Sequence, residues 1–180
     1  IKYRPNNYAE LSGQELIEQT IKNAIKLNRI ANAYLITGVR GVGKTTTARI
    51  IAKALNCNEV SLGNSEFQEP CCKCDNCIAI SESRSIDVLE MDAASRTGIN
   101  DIRELIDGVQ YAPVSSSFKV YIIDEVHMLS NAAFNGLLKT LEEPPEHVKF
   151  IFATTEVRKI PATILSRCQR YDLKRIEPNE

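Results

Sequence analysis

The chain has 180 residues, 43% hydrophobic and 25% charged, with a net charge of −1 and a pI near 6.2. That is enough apolar material for one domain with its own core, and no apolar run reaches the roughly 18 residues that span a bilayer, so a membrane is not an expected partner. A protein that grips nucleic acid unaided carries a basic excess, so any DNA contact is expected to be local or shared with other subunits.

The sequence opens at Ile1 rather than Met and closes on polar residues after Asp172, which reads as a piece of something longer. Ser12-Gly13-Gln14-Glu15 has the Ser-x-x-Glu form of a helix capping box, and Ile17, Ile21 and Ile25 then mark one helical face. Ala33–Thr37 reads as a buried strand, broken by glycines from Gly38 to Gly43, with a helix over Lys44–Leu55 behind it. The stretch 56–82 is rich in Cys, Asn, Ser and Glu and poor in large apolar residues, and reads as an insertion with its own stabilising device. Ile86–Met91 reads as a strand, Ile99–Val109 as a helix, Phe118–Ile123 as a strand and Asn131–Leu141 as a helix stopped before Pro144-Pro145. Lys149–Ala153 predicts a strand, Pro161–Arg167 a helix with proline in its first turn, and Tyr171 and Leu173 a fifth strand. Strands alternating with helices predict a parallel sheet covered on both faces. Ligands of such sheets sit beyond the carboxyl ends of the strands, the edge that would carry Gly38–Thr45, Asp124-Glu125 and Thr154-Thr155.

Gly38-Val39-Arg40-Gly41-Val42-Gly43-Lys44-Thr45 fits G-x-x-x-x-G-K-[ST] in full, between a predicted strand and a predicted helix. Glycines let backbone N–H groups converge on phosphate oxygens, and the helix N-terminus faces the same anion. Lys44 adds a mobile positive charge for the β- and γ-phosphates, and Thr45 a hydroxyl for Mg²⁺. The strand Val120–Ile123 delivers Asp124 and Glu125, one to hold Mg²⁺ through water and the other to orient or deprotonate the attacking water. A hydroxyl of Thr154-Thr155 is placed to sense the γ-phosphate or position that water. Each feature has a plainer reading: a glycine-rich turn, a strand ending in solvated acids, a threonine at a strand end.

Cys71, Cys74 and Cys77 at Cys-x-x-Cys spacing, with Cys57 fourteen residues before Cys71, supply four thiolates for one tetrahedral Zn²⁺. Thiolates also bind iron–sulfur clusters, and disulfides or idle thiols are the plain alternative, disfavoured in the reducing setting that an ATP loop implies. Cys72 is crowded between its neighbours and is left out of the tetrad. Four protein ligands leave no open position, so the zinc is expected to be structural.

These segments resemble the ATPase domain of the gamma/tau subunit of bacterial DNA polymerase III, a clamp loader of the AAA+ class. The resemblance runs over nearly the whole chain. It is carried by KYRP (Lys2–Pro5), SGQE (Ser12–Glu15), GVRGVGKTT (Gly38–Thr46), the cysteine insertion (Cys57–Cys77), EMDAASRTGINDIREL (Glu90–Leu105), YIIDEVHMLS (Tyr121–Ser130), LLKTLEEPPEHVKFIFATTE (Leu137–Glu156) and ILSRCQ (Ile164–Gln169). It implies a RecA-like α/β fold over 1–180 with a five-stranded parallel sheet in the order 5-1-4-3-2 and a zinc insertion at 56–82, the lid and collar domains lying elsewhere. It implies an ATPase with ATP, Mg²⁺ and zinc as cofactors, loading the sliding clamp onto primer–template DNA. Its partners would be the other clamp-loader subunits and, through other regions, the polymerase core, in a bacterial cytoplasm. Arg167 in Ser166-Arg167-Cys168 would act in trans on a neighbour's ATP. Tyr3, Arg4 and Pro5, with Gly13-Gln14, would pack the adenine, and Arg96, Arg103 and Lys139 would lie along the DNA backbone. A non-hydrolysing clamp-loader subunit and another AAA+ DNA motor are the alternatives.

Overall fold

In the computed structural model, which describes residues 4–5, 14–60, 69–95 and 99–175, the strands are β1 (Ala33–Thr37), β2 (Val88–Asp92), β3 (Lys119–Asp124), β4 (Val148–Thr154) and β5 (Gln169–Asp172). The helices are α1 (Glu15–Lys26), α2 (Lys44–Asn56), α3 (Asp75–Ser81), α4 (Ile99–Val109), α5 (Asn131–Glu142) and α6 (Ala162–Leu165). All four strand pairings are parallel, in the order β2-β3-β4-β1-β5, the order the family resemblance implies.

The two central strands are buried at every position, which is why AYLIT and VKFIFAT read as nearly continuous apolar runs. Alternation then divides the core. Tyr34, Ile36, Val120, Ile122 and Ile151 face Ile17 and Ile21 of α1 and Ile51 and Leu55 of α2. Leu35, Tyr121, Ile123, Phe150 and Phe152 face Ile102 of α4 and Phe134 and Leu137 of α5. Phe150 stacks on Tyr121 at 5.5 Å and on Phe152 at 5.8 Å, and each such buried ring contributes about 1.5–3 kcal/mol. The edge strand β2 exposes Leu89 and Glu90.

Four local expectations change. Ser12 and Gly13 lie outside the described residues, and α1 begins at Glu15 behind Gln14, whose side chain makes no cap bond. Gln14 Nε2 instead donates to the Lys174 carbonyl at 3.1 Å, tying α1 to the end of the sheet. The strand expected from Ile86 begins at Val88, because Ile86 is in water and Asp87 turns inward to hold a loop. The Asp87 carboxylate accepts the N–H groups of Val114, Ser115 and Ser116 at 2.7–2.8 Å. Pro161 caps α6 rather than joining it, its ψ of 139° being extended. Finally, the fifth strand is Gln169–Asp172, and Leu173 follows it.

Candidate nucleotide site and cysteine cluster

The loop between β1 and α2 is shaped by its glycines. Gly43 caps α2 at φ 102°, a left-handed conformation that strains any L side chain. A Cβ on Gly38 would lie 2.8 Å from Val42 Cγ1 and 3.1 Å from the Leu173 carbonyl. No side chain caps α2, so its first N–H groups are left for an anion. Val39, Arg40 and Gly41 are exposed, whereas Val42 packs on the core. Lys44 is 6% exposed, and its ammonium donates to the carbonyls of Gly38 at 2.9 Å and Val39 at 3.0 Å, which hold it over the loop.

The sheet brings the expected acids to this loop. Thr45 Oγ1 donates to Asp124 Oδ2 at 2.6 Å across 79 residues of sequence, and Asp124 Oδ1 accepts the Glu125 N–H at 2.9 Å. Glu125 itself has φ 51°, a left-handed conformation uncommon outside glycine and concentrated at functional sites. Thr155 Oγ1 donates to Glu125 Oε2 at 3.2 Å. One further group, His127, joins the cluster without any signal in the sequence pattern. His127 in the short 3-10 turn Val126–Met128 places Nδ1 2.8 Å from Thr154 Oγ1 and Nε2 3.5 Å from Glu125 Oε2. Beside the loop, Arg4 Nε donates to Thr46 Oγ1 at 2.8 Å. Pro5 is half-buried, while Tyr3 lies outside the described residues.

The cysteines converge at the other end of α2. Cys57 follows the last turn of that helix, and Cys74 is the N-cap of α3, its sulfur accepting the Cys77 N–H. The sulfurs of Cys57, Cys71, Cys74 and Cys77 all lie within 4.8 Å of one another, against edges of about 3.8 Å in a tetrahedron with zinc–sulfur bonds of about 2.3 Å. The Cys71 N–H points at Cys57 Sγ (3.3 Å), and the N–H groups of Lys73 and Cys74 at Cys71 Sγ (3.4 and 3.2 Å). Such donors favour thiolate over thiol. Desolvation pushes the Cys71 thiol up, but those two N–H groups and the neighbouring thiols bring it to about 7. No cysteine is in a disulfide, and the donor set suits a tetrahedral soft-metal site. Cys72 falls outside the tetrad, its backbone turned to φ 59°.

The insertion 56–82 is less separate than its composition predicts. It contains α3, whose Ile80 joins the core beside α2. Asn76 Nδ2 donates to the Asn56 carbonyl at 2.9 Å, and Asn56 exchanges two hydrogen bonds with the Phe118 backbone.

Arg167 makes its described contacts away from the loop's acids. Its guanidinium donates to Glu142 Oε1 at 3.0 Å and to the Thr163 carbonyl at 2.7 Å. Arg103 and Lys139 are exposed on α4 and α5, and Arg96 lies outside the described residues.

Among the described residues no helix is long and apolar enough to cross a membrane. The sequence model of the family described as DNA polymerase III, delta subunit, matches residues 13–177. The chain is 54% identical to DNA polymerase III subunit tau of Escherichia coli (strain K12) over 176 residues, which are 98% of this chain and 27% of that protein. It is 52% identical to subunit gamma of Buchnera aphidicola subsp. Baizongia pistaciae (strain Bp) over 179 residues, 99% of this chain and 47% of that protein. The chain thus spans roughly a quarter to a half of the length of these curated relatives. Among solved structures, a DNA polymerase III gamma subunit-related protein from Thermotoga maritima superposes with TM-score 0.57 at 22% identity, covering 92% of this chain and 47% of that one. The RuvB Holliday junction branch migration motor of the same organism gives TM-score 0.60 at 18% identity, covering 95% and 48%. At these identities the likeness shows a shared fold, a RecA-like parallel sheet. The chain therefore belongs to the DNA polymerase III, delta subunit family, and over nearly all its length it is similar to subunits tau and gamma of DNA polymerase III.

Proposed function

We propose that this chain binds ATP with Mg²⁺ and hydrolyses it as the AAA+ ATPase domain, 1–180, of a clamp-loader subunit of a bacterial, cytoplasmic DNA polymerase III holoenzyme. The observation that carries the reading is the 2.6 Å contact between Thr45 Oγ1 and Asp124 Oδ2. It joins the helix-start hydroxyl of the phosphate loop to the acid at the end of β3, with Glu125 beside it.

The N–H groups from Gly38 to Thr46 would take the triphosphate, and Lys44 would exchange two neutral carbonyls for β- and γ-phosphate oxygens, a stronger charge-assisted pairing. Thr45 and Asp124 would hold Mg²⁺, which when bound neutralises charge on the β- and γ-oxygens. Glu125 takes a proton from the attacking water. The water oxygen bonds to the γ-phosphorus as the bond to the β,γ-bridging oxygen breaks, releasing ADP and phosphate. Thr155 aligns Glu125 and reads the γ-phosphate. Arg167, freed from Glu142, would reach a neighbouring subunit's nucleotide in trans. Arg4 and Pro5, with Tyr3, would pack the adenine. Cys57, Cys71, Cys74 and Cys77 of the 56–82 module would hold a zinc ion in a structural role. The lid, collar, sliding clamp and primer–template DNA belong to the assembled loader, where Arg103 and Lys139, together with Arg96, would contact the DNA backbone.

The test uses full-length protein in the assembled loader. Lys44→Ala is expected to abolish ATP-dependent clamp loading, and Glu125→Gln to bind ATP yet stall turnover. Normal loading by the Lys44 variant would overturn the proposal.

A further inference from the structure

We infer that His127 is a positioning residue that fixes the Glu125 carboxylate, with its tautomer chosen by Thr154. The inference rests on the reading of Glu125 as the group that activates water, and it adds two residues that the motif does not contain.

The His127 side chain is 4% exposed, so it has few partners to choose from. Its Nδ1 lies 2.8 Å from Thr154 Oγ1. Thr154 is fully buried, and its oxygen already accepts the Glu156 N–H at 3.0 Å. A hydroxyl has one proton to give. Of the two described partners of Thr154 Oγ1, the Glu156 N–H can only donate, so Nδ1 is the acceptor for the buried hydroxyl proton, and the neutral ring then carries its own proton on Nε2. Nε2 stands 3.5 Å from Glu125 Oε2 and 4.0 Å from Glu156 Oε1. Lys159 Nζ holds the other Glu156 oxygen, Oε2, at 2.7 Å, and 4.0 Å to Oε1 is beyond hydrogen-bond reach, which leaves the nearer Glu125 as the partner that Nε2–H serves. The 3.5 Å separation is long, as hydrogen bonds at such sites often are before the substrate closes them.

The same Glu125 oxygen, Oε2, also accepts from Thr155 Oγ1 at 3.2 Å. It is therefore held from two sides, by a hydroxyl and an imidazole, and Oε1 is the oxygen directed at the water proton. Both supports trace back to the end of β4, since Thr154 closes that strand and Thr155 follows it. The left-handed backbone of Glu125 gives its side chain an unusual exit direction, and these contacts keep it from relaxing to another rotamer.

The test is single-turnover and steady-state ATP hydrolysis by the assembled loader carrying variants of the full-length chain. His127→Phe, which keeps the ring and removes both nitrogens, is expected to lower kcat roughly 10- to 100-fold, the scale seen when a group supporting a reactive residue is lost, with ATP Kd within about twofold. His127→Gln, which retains a donor and an acceptor, recovers most of that loss. In a Glu125→Gln background, His127→Phe lowers the residual rate no further, because the carboxylate it positions is gone. Thr154→Val repeats the His127→Phe effect without adding to it, Thr154→Ser restores the rate, and Glu156→Gln leaves kcat unchanged. If His127→Phe fails to fold, the Thr154→Val and Thr154→Ser pair decides. Equal losses in both Glu125 backgrounds, or a loss of ATP affinity parallel to kcat, would overturn the inference in favour of a packing role. Normal turnover by His127→Phe beside a dead Glu125→Gln overturns it alone, whereas normal turnover by Glu125→Gln overturns the parent proposal.

Discussion

The two ends of α2 are built by opposite means. At its N-terminus the parts come from far apart: Thr45 meets Asp124 across 79 positions, and Glu125 meets Thr155 across 30. Only a sheet in the order β2-β3-β4-β1-β5 lines up their strand ends. At its C-terminus the partners are near in sequence, Cys57 reaching Cys71 across 14 positions and Cys74 across 17. There the closing device is thiol chemistry, because a helix of seven residues like α3 is marginal by itself. The lesson is that charge at the phosphate edge is placed by the hydrophobic core, whereas the cysteine end combines short-range sulfur contacts with the packing of Ile80 and the Asn76–Asn56 hydrogen bond.

Removing charge from the first region should leave the fold alone. Lys44→Ala is expected to lower turnover at least about 100-fold, the scale for loss of a main transition-state donor, with an unchanged melting curve. A large drop in melting temperature would break the comparison. The second region should respond the other way. Metal chelation, or Cys74→Ser, is expected to expose the α3 amides to hydrogen exchange, since ligand binding there is folding free energy. Protection of the β1 and β4 amides should persist. Loss of exchange protection in the central strands would show that the two regions fold as one.

Asp87 sharpens the comparison, because it anchors the loop beside the cysteine end through backbone donors. Asp87→Ala is expected to destabilise by roughly 1–3 kcal/mol in denaturant titration, because three part-buried backbone N–H groups lose their charged acceptor. Burial raises the Asp87 pKa, but the N–H groups of Val114 and Ser115, with Ser116, outweigh it and hold the group below its usual value. Its stabilising effect is therefore complete above the unfolded carboxyl value near 4 and fades as pH falls through the lower folded value. Wild type should lose stability there, and Asp87→Ala should lose less. The smallest effect is expected at Cys72, whose φ is 59°. Cys72→Gly removes left-handed strain while adding unfolded-chain freedom, a net change under about 1 kcal/mol. Metal stoichiometry should be unchanged, whereas a lower metal content would enlarge the ligand set beyond the tetrad.

The elements of the sheet were legible because their signals are local. Period-two alternation, the all-apolar central strands and the helical spacing of Ile17, Ile21 and Ile25 each follow from burial of one face. The phosphate loop was legible because its glycines answer a backbone demand, seen at Gly43. Helix α3 was not, since only Ile78 and Ile80 are large and apolar within its seven residues and the cysteines mask its period. His127 and Thr154 were illegible as a pair for another reason. A histidine two residues after an acid has no pattern of its own, and its partner is set by how β4 lies against the turn after β3. The cis contact of Arg167 with Glu142 is likewise a product of packing between α5 and the end of α6.

Helix α2 is buried along almost its whole length, from Lys44 through Ile50, Ile51 and Leu55 to Asn56. At about 1.5 Å per residue its 13 residues span about 20 Å. It thus behaves as a tie-rod clamped at both ends, by the sheet edge in front and by the Asn56, Asn76 and cysteine contacts behind. A clamped rod does not swing when a phosphate comes or goes. Under the proposed function, motion driven by the nucleotide would leave the site by the strand-end threonines Thr154 and Thr155 rather than along α2.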